Sequence, residues 1–197
     1  MISLTNEILR KAIHLSNLIV PLFLFYYGRD LTLYILIPVT FFCILLDLLR
    51  IKNQKVRDFY NIFFKSITRE QERIHLTGAS YVFIASTITI ILFPEPIAIA
   101  ALMIMSISDT FAAIIGRTYG SIIIGSKSLE GSISFLITSL AIVLLFPELK
   151  IFISIISVLI ATIAELYTPI NDNLSIPIAF AGTYMLLDIL SISNGVI

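Results

Sequence analysis

The stretch Leu31–Leu49, LTLYILIPVTFFCILLDLL, carries a single charged residue, Asp47, in nineteen residues. A run of that length and apolarity matches the hydrocarbon thickness of a bilayer when helical, and it exceeds what a buried helix of a small soluble domain needs. The rest of the chain repeats the pattern. Of 197 residues, 58% are hydrophobic and 13% charged, and the mean hydropathy is +1.00. These values predict an all-α, polytopic integral membrane protein, organised as a single domain over 1–197. Apolar runs at 12–27, 31–49, 77–93, 96–115, 131–147, 150–167 and 174–191 predict about seven transmembrane helices at ~20 residues each.

The breaks between the runs are of two kinds. Gly28-Arg29-Asp30, Pro94-Glu95-Pro96 and Pro147-Glu148 are short and read as tight turns, whereas 50–76, 116–130 and 168–173 are longer and polar. With seven spans, the N-terminus and the long connections share one side. That side holds Arg10, Lys11, Arg50, Lys52, Lys55, Arg57, Lys65, Arg69, Arg73, Arg117 and Lys127, against Arg29 and Lys150 on the other. Eleven cations against two predicts that the long loops are cytoplasmic. Arg10-Lys11 followed by an apolar run without a small-residue cleavage pattern reads as a retained first span. Within 50–76, Val56, Phe59, Phe63 and Ile67 recur at helical spacing and predict an interfacial helix on the cytoplasmic side. Phe23, Phe25, Tyr26 and Tyr27 mark an aromatic belt at the opposite face.

The net formal charge is zero, so no global attraction to nucleic acid is implied. Cys43, the one cysteine, lies in an apolar run and reads as packing.

Asp47, Asp109 and Glu165 sit inside apolar runs, each near the end assigned to the cytoplasm. A charge at mid-bilayer costs ~2.5–3.5 kcal/mol on insertion scales, so three carboxylates at similar depth predict a shared polar site. His14 joins them one turn beyond Arg10 and Lys11. Asp47 and Arg50 share a helix face and can instead pair with each other. Ser106, Asp109, Ala113 and Gly116 define a small, acidic face that another helix or a ligand can approach closely.

The segment Asp109–Gly131, DTFAAIIGRTYGSIIIGSKSLEG, concentrates the remaining chemistry. Gly116, Gly120 and Gly125 can aim backbone amides at an anion, and Arg117 and Lys127 add positive charge. Tight helix crossings use glycines too. Gly120 to Ser128 approximates a P-loop, but the spacing between Gly125 and Lys127 is wrong and no parallel strand precedes it. What remains is phosphate chemistry, with Asp109, Glu130 and Asp172 as oxygen ligands for magnesium.

DTFAAIIGRTYG with GSKSLEGS, together with RKAIH at 10–14, ITREQERIHLTGAS at 67–80 and AELYTPINDNLSIP at 164–177, resembles the CTP-dependent lipid-alcohol kinases, the family of dolichol kinase, phytol kinase and CTP-dependent diacylglycerol kinase. The resemblance implies an all-helical membrane enzyme that transfers the terminal phosphate of CTP to a lipid hydroxyl, most readily a polyprenol or dolichol-type isoprenoid alcohol. It also implies that Asp109, Gly116, Lys127, Glu130, Gly131, Asp172 and Asn173 belong to the nucleotide and magnesium site. Asn171 stands where some relatives carry an aspartate. KSLEGS is also similar to a segment of phosphatidate cytidylyltransferases, which make a CDP-lipid, and acids inside spans equally mark transporters.

The expected roles follow from the chemistry. Lys127, Arg117, Ser128 and the loop amides neutralise phosphate, Asp109 is the first metal ligand, and Asp172 or Glu130 completes the set or takes the hydroxyl proton. His14 is a rival base or a hydrogen-bonding element. Asn171 and Asn173 read a cytosine edge or turn the chain, and Glu165 is an anchor or a reactant. Residues 69–75 form a wall of the site or a salt-linked helix terminus. The apolar lining carries no length code for the acceptor, and the oligomeric state is left open.

Overall fold

A computed structural model describes residues 4–64, 68, 70–168 and 171–193, and Lys65, Ile67 and Arg69 lie outside them. The all-α expectation holds, apart from one small ribbon. In chain order the elements are α1 (Leu4–Ser16), α2 (Ile19–Lys52), α3 (Gln54–Phe64), a 3-10 turn (Glu70–Arg73), α4 (Gly78–Leu92), α5 (Glu95–Met103), a π-helical turn (Ile104–Ser108), α6 (Asp109–Tyr119), β1 (Ile123–Ile124), β2 (Lys127–Ser128), α7 (Leu129–Val143), α8 (Ile151–Tyr167) and α9 (Asp172–Ser193). Three helical stretches, Ile8–Lys52, Glu95–Tyr119 and Asp172–Ser193, are long and apolar enough to cross a membrane, and α4, α7 and α8 are shorter apolar helices.

The first stretch is not one straight rod. His14 meets the Met105 carbonyl, Arg29 meets Phe93 and Glu95, and Asp47 meets Thr77. The chain therefore runs out along α5 and returns along α4. The reversal falls at Gly28, whose φ of 74° and ψ of 177° suit a residue without Cβ. A second break interrupts the expected first span, because α1 ends at Ser16 and tight bonds from Asn17 to His14 and from Leu18 to Leu15 precede α2.

Helix starts are set locally. The Thr77 hydroxyl accepts from the Ser80 amide, the Ser128 hydroxyl accepts from the Gly131 amide at 3.2 Å, and Pro96 sits in the first turn of α5. Helices in lipid associate through close packing and interhelical hydrogen bonds. Here Leu24, Ile90, Leu102, Ile104, Phe135 and Phe180 are fully buried between helices, while Phe41, Phe42 and Phe152 face outward.

The bundle has two distinct ends. At one, the Arg29 guanidinium donates to the Phe93 carbonyl at 2.5 Å, its amide donates to Glu95, and Lys150 pairs with Asp188 while its amide donates to the Tyr184 hydroxyl. These bonds staple the short turns. At the other end lie Lys11, His14, Asp47, Asp109, Lys127, Glu165 and Asp172.

Of the small face expected from Ser106, Asp109, Ala113 and Gly116, Ser106 lies in the π-helical turn and the other three lie along α6. The close crossing of α6 on α7 uses Gly116 of that set together with Ala112. A Cβ on Gly131 would lie 2.8 Å from the Ala112 carbonyl oxygen, and one on Gly116 would lie 2.8 Å from Ser128 Oγ and 3.4 Å from Gly131 Cα.

Candidate functional site

Two ionic groups meet at the charged end. In the first, Asp109, 5% exposed at the start of α6, accepts a short hydrogen bond from Lys11 Nζ, and His14 Nε2 stands 3.5 Å from the same carboxylate. His14 Nε2 also lies 3.1 Å from the Met105 carbonyl oxygen. A carbonyl can only accept, so that nitrogen carries the proton. This geometry makes His14 a donor holding the π-helical turn, and the nitrogen nearest Asp109 has no lone pair to act as a base.

In the second group, Lys127 Nζ donates to Glu165 Oε1 at 2.5 Å and to Asp172 Oδ2 at 3.0 Å. The other Glu165 oxygen accepts from Ser132 Oγ at 2.9 Å. Burial works against the Lys127 ammonium, but Asp172 and Glu165 beside it outweigh burial and raise its pKa above the ordinary lysine value. Lys127 also lies within electrostatic range of Asp109, which joins the two groups. Residues 109, 127 and 172 thus share one end of the bundle.

Not every expected ligand is gathered there. Glu130 faces solvent and accepts from the Ser121 amide at 2.9 Å, from the Ser121 hydroxyl and from the Ile122 amide at 3.2 Å. It closes the 121–122 turn, so the structure does not bring it to Asp109 and Asp172. Among the described residues no three His, Cys, Asp or Glu side chains are grouped to hold a metal ion. Of the three carboxylates expected for magnesium, Asp109 and Asp172 lie at the charged end, while Glu130 is held on the 121–122 turn.

The Ser121 hydroxyl, with the backbone amides, holds the Glu130 carboxyl down at about 2. A depressed folded-state value means that this contribution to the turn is complete above the ordinary carboxylate range and is lost as pH falls through about 2. Hydrogen exchange at the Ser121 and Ile122 amides should accordingly stay slow down to mild acid, and Glu130→Gln should speed it at neutral pH. Equal protection in both forms would contradict the assignment.

The remaining predicted residues have structural uses. Gly116 and Gly131 serve the α6 and α7 crossing, and a Cβ on Gly120 would lie 2.2 Å from the Gly116 carbonyl oxygen. Only Gly125, with φ of 63° at the ribbon tip, is both left-handed and open to approach. Ser128 caps α7. Asn171 Oδ1 accepts from the Asn173 amide at 3.1 Å, and Asn173 Nδ2 donates to the Gly78 carbonyl at 3.1 Å, tying the 171–173 turn to the start of α4. Arg117 is exposed on the last turn of α6.

Three participants were under-weighted in sequence. Lys11 reads there as one topology cation among many, although its i,i+3 spacing from His14 was a signal. Glu165 emerges as the closest partner of Lys127, and Ser132 as the group that orients it. Asp47 resolves in favour of pairing, and with more than Arg50: it also accepts from the Thr77 amide at 2.7 Å, the Thr77 hydroxyl at 2.9 Å and the Ser80 hydroxyl at 2.7 Å. Arg50 in turn donates to the carbonyls of Glu72 and His75, so the 72–77 segment forms a helix terminus bound to a buried ion pair.

Fold and site together define an almost wholly helical protein, with three helical stretches long and apolar enough to cross a membrane and its charged groups collected at one end. The chain is 35% identical over 182 residues to the uncharacterized protein RP860 of Rickettsia prowazekii (strain Madrid E), with 87% of this chain and 89% of that one covered, and it belongs to the same family. No family model matches the chain, and no solved structure does.

Proposed function

We propose that this chain is a seven-span membrane kinase that transfers the terminal phosphate of CTP to the hydroxyl of a lipid alcohol of polyprenol or dolichol type, with the charged end facing the cytoplasm. The observation that carries the reading is the grouping of Lys127 with Asp172, from a motif 45 residues away, and, through electrostatics, with Asp109. The choice of CTP and of the acceptor class rests on the family resemblance, and the orientation on the eleven-to-two distribution of cations.

Formal charges support a metal-borne donor. Lys11 and Lys127 stand against Asp109, Glu165 and Asp172, an excess of one negative charge (two minus three) that would repel a bare triphosphate. Asp109 would hold a magnesium ion whose other ligands would be water and phosphate oxygens, which leaves Asp172 free to act as base. Bound there, magnesium would neutralise charge on the phosphates. Lys127 exchanges a carboxylate partner for a terminal phosphate oxygen, and Glu165, fixed by Ser132, keeps the ammonium aimed. The lipid hydroxyl oxygen bonds to the terminal phosphorus, the bridging P–O bond breaks, CDP leaves, and Asp172 receives the hydroxyl proton. A water-borne donor and a bilayer-bound acceptor can meet only near an interface, which is where such a cluster belongs.

Purified protein given magnesium, CTP labelled on the terminal phosphate and mixed lipid alcohols should yield labelled lipid phosphate. Label entering lipid only from the alpha phosphate would replace this reading with a cytidylyltransferase, and no turnover with any alcohol would replace it with a transporter.

A further inference from the structure

The ribbon that delivers Lys127 has an apolar outer side. Ile123 pairs with Ser128 and Ile124 with Lys127, and the Leu129 amide donates to the Ile122 carbonyl at 2.9 Å. On one strand, therefore, Lys127 reaches inward to Glu165 and Asp172. On the other, Ile122 is 55% exposed and Ile123 66%, with Tyr119 70% exposed at the base. Successive strand residues point to opposite faces. Ile123 shares a face with the buried Ser128 and Ile124 one with the inward Lys127, so the bare apolar side of the arm is that of Tyr119, Ile122 and Ile123, and a Cβ on Gly125 at its tip would meet nothing within 4 Å.

The arm leaves directly from Tyr119, the last residue of Glu95–Tyr119, a stretch long and apolar enough to cross a membrane. The arm also continues a surface already turned outward: Phe111 on α6 is 48% exposed, and steps of four along that helix lead through Ile115 to Tyr119 and on to the ribbon. Tyrosine at the junction suits a boundary between apolar and wet surroundings.

We propose that the 119–127 arm is seated in the bilayer at the boundary of headgroups and acyl chains, with Tyr119, Ile122 and Ile123 in lipid, and that this seating fixes the height of Lys127 relative to the membrane. The occupant is the bilayer itself, and the proposal holds whatever the phosphate donor or acceptor. Ile124, opposite Lys127, couples the two strands, so movement of the arm in lipid is transmitted to the ammonium.

The chain contains no tryptophan, so Ile123→Trp introduces a single indole emitter. The full-length variant is reconstituted into phosphatidylcholine vesicles with or without brominated acyl chains, and Phe111→Trp provides the lipid-facing reference. Ile123→Trp should lose most of its emission in brominated vesicles, as the reference does, and be little affected by aqueous iodide. Emission quenched by iodide and untouched by bromine would overturn the proposal. Tyr119→Trp, an aromatic exchange at an exposed position, reads the same face if Ile123→Trp does not fold. Neither reading involves turnover, so failure of the kinase assignment leaves this outcome unaffected.

Discussion

Lys127→Met is expected to lower kcat by about 10²–10³-fold, the usual loss when one group that stabilises transferred phosphate charge is removed. The same change strands Glu165, whose side chain is only 4% exposed and whose second oxygen stays on Ser132. A buried carboxylate without its cation destabilises by about 3–5 kcal/mol, so the single variant should also melt earlier. Pairing it with Glu165→Gln separates the two effects: the double variant should regain most of the melting temperature and none of the turnover. Recovery of phosphate transfer in the double variant, or full activity in the single one, would remove Lys127 from the chemistry.

Asp47→Ala should produce the largest loss of stability, by a route independent of catalysis. Asp47 and Arg50 are 3% and 2% exposed, and the carboxylate takes hydrogen bonds from Arg50, Thr77 and Ser80 on two helices. Its removal leaves Arg50 charged and buried, at a cost of about 3–5 kcal/mol. For a chain of this size that corresponds to a fall in apparent melting temperature on the order of 10 °C. Arg50 also stacks over Tyr60, 4.9 Å from the ring centroid, so α3 should loosen in the same variant. The double change Asp47→Leu with Arg50→Met should recover much of the loss, because it leaves no uncompensated charge. An unchanged melting temperature for Asp47→Ala would show that the ion pair does not hold α2 to α4.

Hydropathy made the helical segments legible because lipid imposes a single strong constraint on every spanning residue. Carboxylates inside apolar runs were equally plain, since Asp109 and Glu165 have no packing reason to be there. Geometry between elements was harder to read. The sequence of Glu130, one residue before Gly131, looks like any other acid near a phosphate loop, and only the fold of the 121–122 turn sends it outward. Glycines were ambiguous for the same reason: a backbone that must approach a phosphate and one that must approach a helix call for the same residue. Gly28 shows the complementary case, where a short break in hydropathy was enough to place a reversal, because positive φ and a helix interruption coincide.

The π-helical turn from Ile104 to Ser108 has a consequence for Asp109. Each residue advances an α-helix by about 100° around its axis, and a π turn accommodates one surplus residue. Without it, α6 would be turned about its axis relative to α5, carrying Asp109 away from Lys11 and His14 and, with it, Ala112 and Gly116 away from their contact with α7. The azimuth of Asp109 is therefore written in the main chain, and rotamer choice supplies only the final adjustment.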